Sequence, residues 1–212
     1  DGNTVAIGAP FNDGNGYDVG HVRVFENISG SWTQIGSDID GLDDNGNFGG
    51  STSLSSDGSM LAVGSRYGGN WNGSTKIYEN ISGVWTQIGA EIMGDGNNDE
   101  FGYCVSLSSD GGIVAIGANA NDENGYDAGQ VKVFENISGV WTQMGSNILG
   151  ENSYDYFGHS VSISNDGLTI FCSNVGNSGG ARTFEYDITN SNWNQKGSTI
   201  ADGTEVNFGS LS

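Results

Sequence analysis

One proline, two histidines, two cysteines and six Lys plus Arg are all that 212 residues contain of those types. Each shortage excludes something. Six basic residues against 26 acidic ones give a formal charge of −20, the wrong sign for gripping a phosphate backbone, so nucleic acid is excluded as a partner. Two cysteines make neither a disulfide framework nor a metal cluster. Cys104 and Cys172 are read either as buried free thiols or as one disulfide between neighbouring units. No run of about 18 apolar residues is present, so no helical membrane span is expected. No stretch keeps an apolar pattern at helical spacing. No charged-apolar-small leader opens the sequence, so a secretory signal is expected upstream of residue 1.

What is abundant is glycine, at 37 residues, with aromatics at 10%. Such a chain is too apolar and aromatic for a solvated tail and too glycine-punctuated for long helices. The acidic excess serves solubility or concentrates cations at the surface.

One phrase is spelled repeatedly. "VFENISGSWTQIGSDIDG" (24–41) returns as "IYENISGVWTQIGAEIMG" (77–94) and "VFENISGVWTQMGSNILG" (133–150), and more faintly as "TFEYDITNSNWNQKGSTIADG" (183–203). Trp32, Trp85, Trp141 and Trp193 lie 53, 56 and 52 residues apart, and an "FG" pair at Phe48, Phe101, Phe157 and Phe208 recurs at 53, 56 and 51. Both markers define a unit of about 53 residues, repeated four times.

Within a unit, "YCVSLSSDGGIVAIGAN" reads as strand, Asp-Gly turn, strand. A loop such as "NDENGYDAG" follows, then "QVKVFENISG" and "VWTQMGSNI". Four short strands joined by tight connections, then a longer acidic loop, suit one blade of an all-β propeller of four-stranded antiparallel blades. Packing blades side by side buries both apolar faces of each. The chain is therefore expected to be a single domain, 1–212, with units at about 1–47, 48–100, 101–156 and 157–207. Residues 208–212 would be the first strand of the blade that residue 1 leaves incomplete, and pairing them with that blade would close the ring. A start inside a hairpin turn also suggests a processed or trimmed chain, or a window of a longer array.

"FGGSTSLSSDGSMLAVGS" and "FGYCVSLSSDGGIVAIGAN" resemble FG-GAP repeats, the blade motif of integrin alpha-subunit propellers. The full "GAP" stands once, at Gly8-Ala9-Pro10. The resemblance covers essentially the whole chain and is more specific for fold than for function. It implies that the "FG" strands run near the axis and that the loops after the second strand share a partner-docking face with those after the fourth strand. That face would collect most of the carboxylates.

Calcium is one expectation for these loops, since hard cations take several oxygens from flexible acidic segments. The candidate ligands are Asp13, Asn15 and Asp18; Asp95, Asn97 and Asp99; and Asp122, Asn124 and Asp127. Against it, Asx side chains cap their own turns without any metal. The slot that holds calcium in integrin-type repeats is here only a short "SSDG" turn. Tyr17, Tyr67, Trp71 and Tyr126 are candidate platforms for a sugar or peptide, in loops that differ between copies. Asn27, Asn80 and Asn136 begin "NIS" and Asn72 begins "NGS", acceptor patterns for N-glycosylation in a eukaryotic secretory route, or hairpin-turn residues otherwise. Arg23, Lys76, Lys132 and Arg182 share one repeat position and are expected to pair with Glu26, Glu79, Glu135 and Glu185.

No repeated histidine, Ser-His-Asp order, H-E-x-x-H or phosphate loop is present, which points away from an enzyme. The expected function is an extracellular, non-enzymatic propeller module for adhesion, protein–protein interaction or surface assembly. Its partner would be a protein or glycan on the acidic loop face, with calcium as the one candidate cofactor. A lectin-like propeller and a structural subunit of a surface filament or coat are the alternatives.

Overall fold

The structure is a computed structural model that describes residues 2–176 and 179–201. It contains four consecutive antiparallel sheets, one per repeat, in a propeller-like all-β arrangement. Sheet 1 comprises Thr4–Ala9, His21–Ile28, Ser31–Gln34 and Ile39–Asp40. Sheet 2 comprises Phe48–Leu54, Met60–Ser65, Ser74–Ile81, Val84–Gln87 and Ile92–Met93. Sheet 3 comprises Phe101–Leu107, Ile113–Ala118, Gln130–Ile137, Val140–Gln143 and Ile148–Leu149. Sheet 4 comprises Ser160–Ile163, Thr169–Asn174, Gly180–Asp187, Asn192–Gln195 and Ile200–Ala201. The longer strands follow chain order and are joined as antiparallel pairs, while the last two-residue strand of each sheet pairs with the same strand as the segment before it. The strand expected at 208–212, and with it Phe208 and ring closure, lies outside the described residues.

The fourth strand differs from the expectation, because it is broken in two. In sheet 3, Phe134 pairs with Gln143 but Val131 pairs with Ile148, so four residues stand opposite two. The same offset recurs in every sheet. The break is the "GS/GA" segment of the repeated phrase, and its glycine has φ of +76°, +69°, +76° and +77° at Gly36, Gly89, Gly145 and Gly197.

The first strand carries its own irregularity. Phe101 pairs with Ala118 and Cys104 with Gly117, so Gly102 and Tyr103 bulge out. Gly102 sits at φ +87°, and a Cβ there would come 2.3 Å from the Ser74 carbonyl oxygen, which explains the "FG". The bulge turns Phe48, Phe101 and Phe157 fully inward, where they meet Tyr78, Phe134 and Phe184 edge-on at 6.3 to 6.4 Å.

Three cores lie between successive sheets rather than within them. Val22, Val24 and Ile39 of sheet 1 pack on Leu61, Val63 and Tyr78 of sheet 2, and the pattern repeats at the next two joints. Glycines allow the close approach: a Cβ on Gly64 would lie 2.0 Å from the Gly102 carbonyl oxygen, and one on Gly117 2.1 Å from that of Gly158.

Cys104 and Cys172 are free thiols, so the disulfide alternative is corrected. Cys172 is completely buried in the joint between sheets 3 and 4, while the Cys104 sulfur accepts the Val161 N–H at 3.3 Å. Burial pushes both thiols above their ordinary range.

The repeated cations also depart from the expected pairing. Arg23 binds Asp38 at 2.7 Å and Lys76 meets Glu91 at 3.5 Å, both acids lying in the break of the fourth strand. Lys132 reaches Asp95, and Arg182 meets Glu151 at 3.3 Å, both in the loop leaving the preceding sheet. The glutamates three residues on point to the other side of the strand's path, and only Glu185 among them holds a cation, Lys196, at 3.3 Å. Lys76, Lys132 and Arg182 are buried, and the Arg182 guanidinium stacks 4.1 Å from the Phe157 ring centroid.

Candidate functional site

The two ends of the sheets are built differently. At one end lie the Asp-Gly turns and the "ENISG" hairpins. Asp57, Asp110 and Asp166 each accept a serine hydroxyl and a backbone N–H, and these bonds hold their carboxyls below the usual range. The hairpin bends are Ser-Gly pairs with both residues at positive φ, at 29–30, 82–83 and 138–139, as a type I′ turn requires. The preceding Asn27, Asn80 and Asn136 cap these bends, each accepting the glycine N–H at 2.7 to 2.8 Å. The fourth "glycosylation" residue, Asn72, is elsewhere: it ends the irregular helical turn Gly68–Trp71 with its carbonyl oxygen Oδ1 buried.

The opposite end is where the copies diverge, and a polar and aromatic cluster forms there around the "FG" bulges. The residues just before and after each "FG" pair are Asn47 and Gly50, Glu100 and Tyr103, Tyr156 and His159. A backbone bond closes each bulge, from Gly50, Tyr103 and His159 N–H to the Asn47, Glu100 and Tyr156 carbonyls at 3.0 to 3.2 Å. The bulge region thus holds different residues at equivalent positions of one mouth.

The side chains interlock across sheets. The Tyr67 hydroxyl donates to Glu100 at 2.8 Å, Arg66 lies 4.8 Å from the Tyr67 ring centroid, and Arg66 Nε donates to Asn47 at 3.4 Å. Tyr103 and His159 stack at 5.0 Å and share a hydrogen bond of 3.1 Å between hydroxyl and Nε2. The Tyr156 hydroxyl faces Asp127 at 3.5 Å. A cleft of about 380 Å³ opens between Pro10, Phe11, Gly50, Arg66, Gly102 and Tyr103, and Phe11 is 63% exposed beside it. Burial raises the Tyr103 and Tyr67 phenols, with Glu100 adding to both, and lowers His159. His159 therefore stays neutral at neutral pH, and its Nδ1 is buried without a hydrogen-bond partner. Grooves of about 440 and 360 Å³ at the outer rims of the 2–3 and 1–2 joints occupy equivalent places, so they belong to the repeat.

The residues singled out as cation ligands are placed on the same end but spent locally. Asp13 Oδ1 accepts the Asp18 N–H and Asp122 Oδ1 the Asp127 N–H, both at 2.8 Å. Asn124 donates to the Gly150 carbonyl at 2.7 Å, Asp95 holds Lys132, and Asp99 accepts from Gly96 N–H at 3.1 Å and Asn121 at 2.6 Å. Asn15 and Asn97 are exposed. Burial raises Asp99 and Asp127. Among the described residues no three His, Cys, Asp or Glu side chains are grouped to hold an ion. The aromatic platforms separate into two pairs, Tyr67 with Trp71 at 5.6 Å and Tyr126 with Tyr154 at 5.3 Å, while Tyr17 stands alone and 66% exposed.

Sequence reasoning missed Phe11, Arg66, Glu100, Tyr103, Tyr156 and His159. For Glu100, Tyr103, Tyr156 and His159 the signal was available: the positions flanking "FG" change from copy to copy inside an otherwise repeated frame.

Residues 85–134 match the FG-GAP repeat family. No curated protein matches the sequence. Among solved structures, a protein from Lactobacillus plantarum is similar at TM-score 0.59 and 13% identity, over 85% of this chain and 49% of that one. Hydrazine synthase of Kuenenia stuttgartiensis is similar at 0.51 and 14%, over 86% and 44%. A complex of KlAtg21 with the coiled-coil of AgAtg16 is similar at 0.53 and 15%, over 81% and 49%. At such identities the likeness is one of fold, and the chain spans about half the length of the structures it matches. The repeat phrase, the four antiparallel sheets and the match over 85–134 agree, and the chain carries the FG-GAP repeat in a propeller-like fold.

Proposed function

We propose that this chain is a non-enzymatic interaction module, acting outside the cell, that binds a protein or glycan partner at the mouth formed by the "FG" bulges. One observation carries the reading: the turn end repeats its capping bonds almost letter for letter, while the mouth end places different side chains at equivalent backbone positions. A scaffold that holds the backbone constant and varies the side chains at one end is suited to recognition there. Exposed Phe11 with partly exposed Tyr103 and Tyr67 offers apolar and stacking surface, and Arg66 and Glu100 offer one donor group and one acceptor group beside it. This mixture suits an uncharged or zwitterionic partner such as a peptide segment or a sugar.

An enzymatic reading would rest on the Tyr103–His159 pair. The two groups engage each other, hydroxyl to Nε2 at 3.1 Å and ring to ring at 5.0 Å, so the pair is read as a packing contact that shapes the mouth. Placement outside the cell draws support from the Asn-capped hairpins at the end remote from the mouth, where a glycan on Asn27, Asn80 or Asn136 would leave the mouth clear. Calcium is not needed for this reading, and Asp13 and Asp122 already use one carboxylate oxygen each to cap an N–H.

Wild type and an Arg66→Ala/Tyr103→Ala variant, probed in parallel on a glycan array and a panel of extracellular-matrix peptides, test the proposal. The expected result is a ligand bound by wild type and lost in the variant, with the fold unchanged by circular dichroism. A ligand bound equally by both proteins would move the site away from the mouth and overturn the reading.

A further inference from the structure

With 26 acidic side chains to six basic ones, a cation on this chain has carboxylates to spare, and five of the six are ion-paired. Arg23, Lys76, Lys132, Arg182 and Lys196 each hold an acid. Arg66 alone is paired with no carboxylate among the described residues. Its Nε makes the long 3.4 Å contact with Asn47, and its terminal nitrogens make no hydrogen bond among the described residues. The Tyr67 ring, 4.8 Å away, uses none of its N–H donors. Glu100 is close enough to act on the same Tyr67 and Tyr103 phenols as Arg66 does, yet it accepts the Tyr67 hydroxyl instead of pairing with the guanidinium.

The place of Arg66 is set by internal parts of the fold. It directly follows Met60–Ser65 of sheet 2, with Asn47 before that sheet on one side and Tyr103 of sheet 3 on the other. It lines the cleft of about 380 Å³, whose walls include Pro10, Phe11 and Tyr103. That volume is at the lower end of the roughly 300 to 1,000 Å³ of small-ligand sites. One unpaired guanidinium beside an apolar wall is what the cleft offers.

We propose that this cleft takes the C-terminal carboxylate of a peptide whose last residue is apolar. The inference rests on the mouth being the binding site and names the chemistry of its partner. In a terminal residue the carboxylate and the side chain leave the same carbon, so one residue meets both Arg66 and the Phe11–Tyr103 wall. The carboxylate matches the guanidinium fork through two parallel, charge-assisted hydrogen bonds. An aspartate or glutamate side chain brings the carboxylate without the apolar group and leaves the wall bare. An acidic polysaccharide brings a row of carboxylates toward a chain of net charge −20, where the cleft supplies a single cation.

Calorimetric titration of the 212-residue chain with N-acetylated tetrapeptides Gly-Ser-Ala-X, X being each apolar residue in turn, tests it. Three further probes are the same peptides amidated at the C-terminus, an amidated peptide ending in aspartate, and an oligogalacturonate. Wild type should bind at least one free acid, and amidation should weaken that peptide by about tenfold or more. Arg66→Gln should weaken the acid equally, with folding checked by circular dichroism; if that variant unfolds, the acid-to-amide ratio on wild type decides alone. Glu100→Gln keeps an acceptor for Tyr67 while removing the neighbouring negative charge, and should tighten the acid by roughly twofold. No binding of any free acid, or tighter binding of the aspartate peptide or the oligogalacturonate, would overturn the proposal. Acid and amide bound equally would also overturn it, and loss of both in Tyr103→Ala would then leave the mouth as the site. Probes bound equally by wild type, Arg66→Gln and Tyr103→Ala would remove the mouth reading as well.

Discussion

Trp193 and Trp32 occupy the same place in the same repeated phrase, yet one is 7% exposed and the other 52%. Their own strands are paired alike, Tyr186 with Trp193 and Asn27 with Trp32. What differs is the neighbour: Trp193 lies against Met144 and Gly145 of sheet 3, whereas among the described residues no sheet lies against Trp32. A repeat residue thus has no fixed energetic value. Its contribution is the joint it completes, as nearest-neighbour stacking implies.

The largest expected effect follows directly. Trp193→Ala removes a buried indole and leaves the Met144 carbonyl without its donor, and should lower stability by about 3 to 5 kcal/mol. Trp32→Ala should change stability by less than about 1 kcal/mol. Urea unfolding followed by far-UV circular dichroism gives both numbers. Equal losses would break the comparison, by showing that the tryptophan stabilises its own sheet rather than the joint.

Much of this architecture was legible beforehand, for a physical reason. Period, strand alternation, Asp-Gly turns and the "FG" pair are local signals, and they located the four sheets. The partners of the repeated cations were not legible, because Lys132 meets Asp95 from the preceding unit, 37 residues away, rather than the glutamate three positions along. The two-residue offset in the fourth strand was hidden because its short "GS/GA" segment recurs in every copy inside an otherwise strand-like phrase. The carboxylates proposed for calcium illustrate a third limit. Asp13 and Asp122 have the spacing of ligands, but that spacing also lets each reach the N–H five residues on, and a sequence does not tell a cap from a ligand. The mouth was half legible: its loops were marked, while the residues flanking the bulges went unmarked.

A sharper version of the same comparison uses two glycines of equal backbone conformation. Gly145 and Gly197 have φ +76° and +77°, so alanine at either pays the same left-handed cost of about 1 to 2 kcal/mol. Only at Gly145 would the new methyl also press on Trp193, at 2.9 Å. Gly145→Ala should therefore be the more destabilising of the two, by roughly 1 kcal/mol or more as a strained contact. Identical losses would show that the indole shifts without cost and that the seat is loose.

The two ends of the sheets should also answer differently to acid. At the mouth, burial lowers the His159 pKa, so the folded protein disfavours the imidazolium. The stability this neutral histidine leaves intact is fully present above the ordinary value near 6.5. It declines as pH falls from there toward the lowered folded value, because the unfolded chain takes up the proton first. At the turn end, Asp57, Asp110 and Asp166 are depressed by the N–H and hydroxyl groups they accept. Their contribution is present above the ordinary carboxylate value of 3.8 and is lost below it. A melting-temperature profile should fall in two separate steps, the upper one from His159 and the lower one from the turns. His159→Gln should erase the upper step and keep the lower. A profile with its upper step intact in that variant would remove His159 from the electrostatics of the mouth.

The smallest effect expected is at the caps of the outer hairpins, and it separates turn chemistry from the mouth altogether. Asn80 accepts the Gly83 N–H at 2.7 Å across a Ser82-Gly83 bend whose residues both have positive φ. Asn80→Asp keeps that acceptor and its length while removing the acceptor pattern for N-glycosylation, so stability should move by no more than about 0.5 kcal/mol. Asn80→Ala removes the acceptor and should cost about 1 kcal/mol, the net worth of one hydrogen bond. Neither should alter ligand binding at the mouth, which lies at the other end of the sheets. If Asn80→Asp weakened that binding as much as Arg66→Ala does, the division of the molecule into a constant turn end and a recognising mouth end would fail.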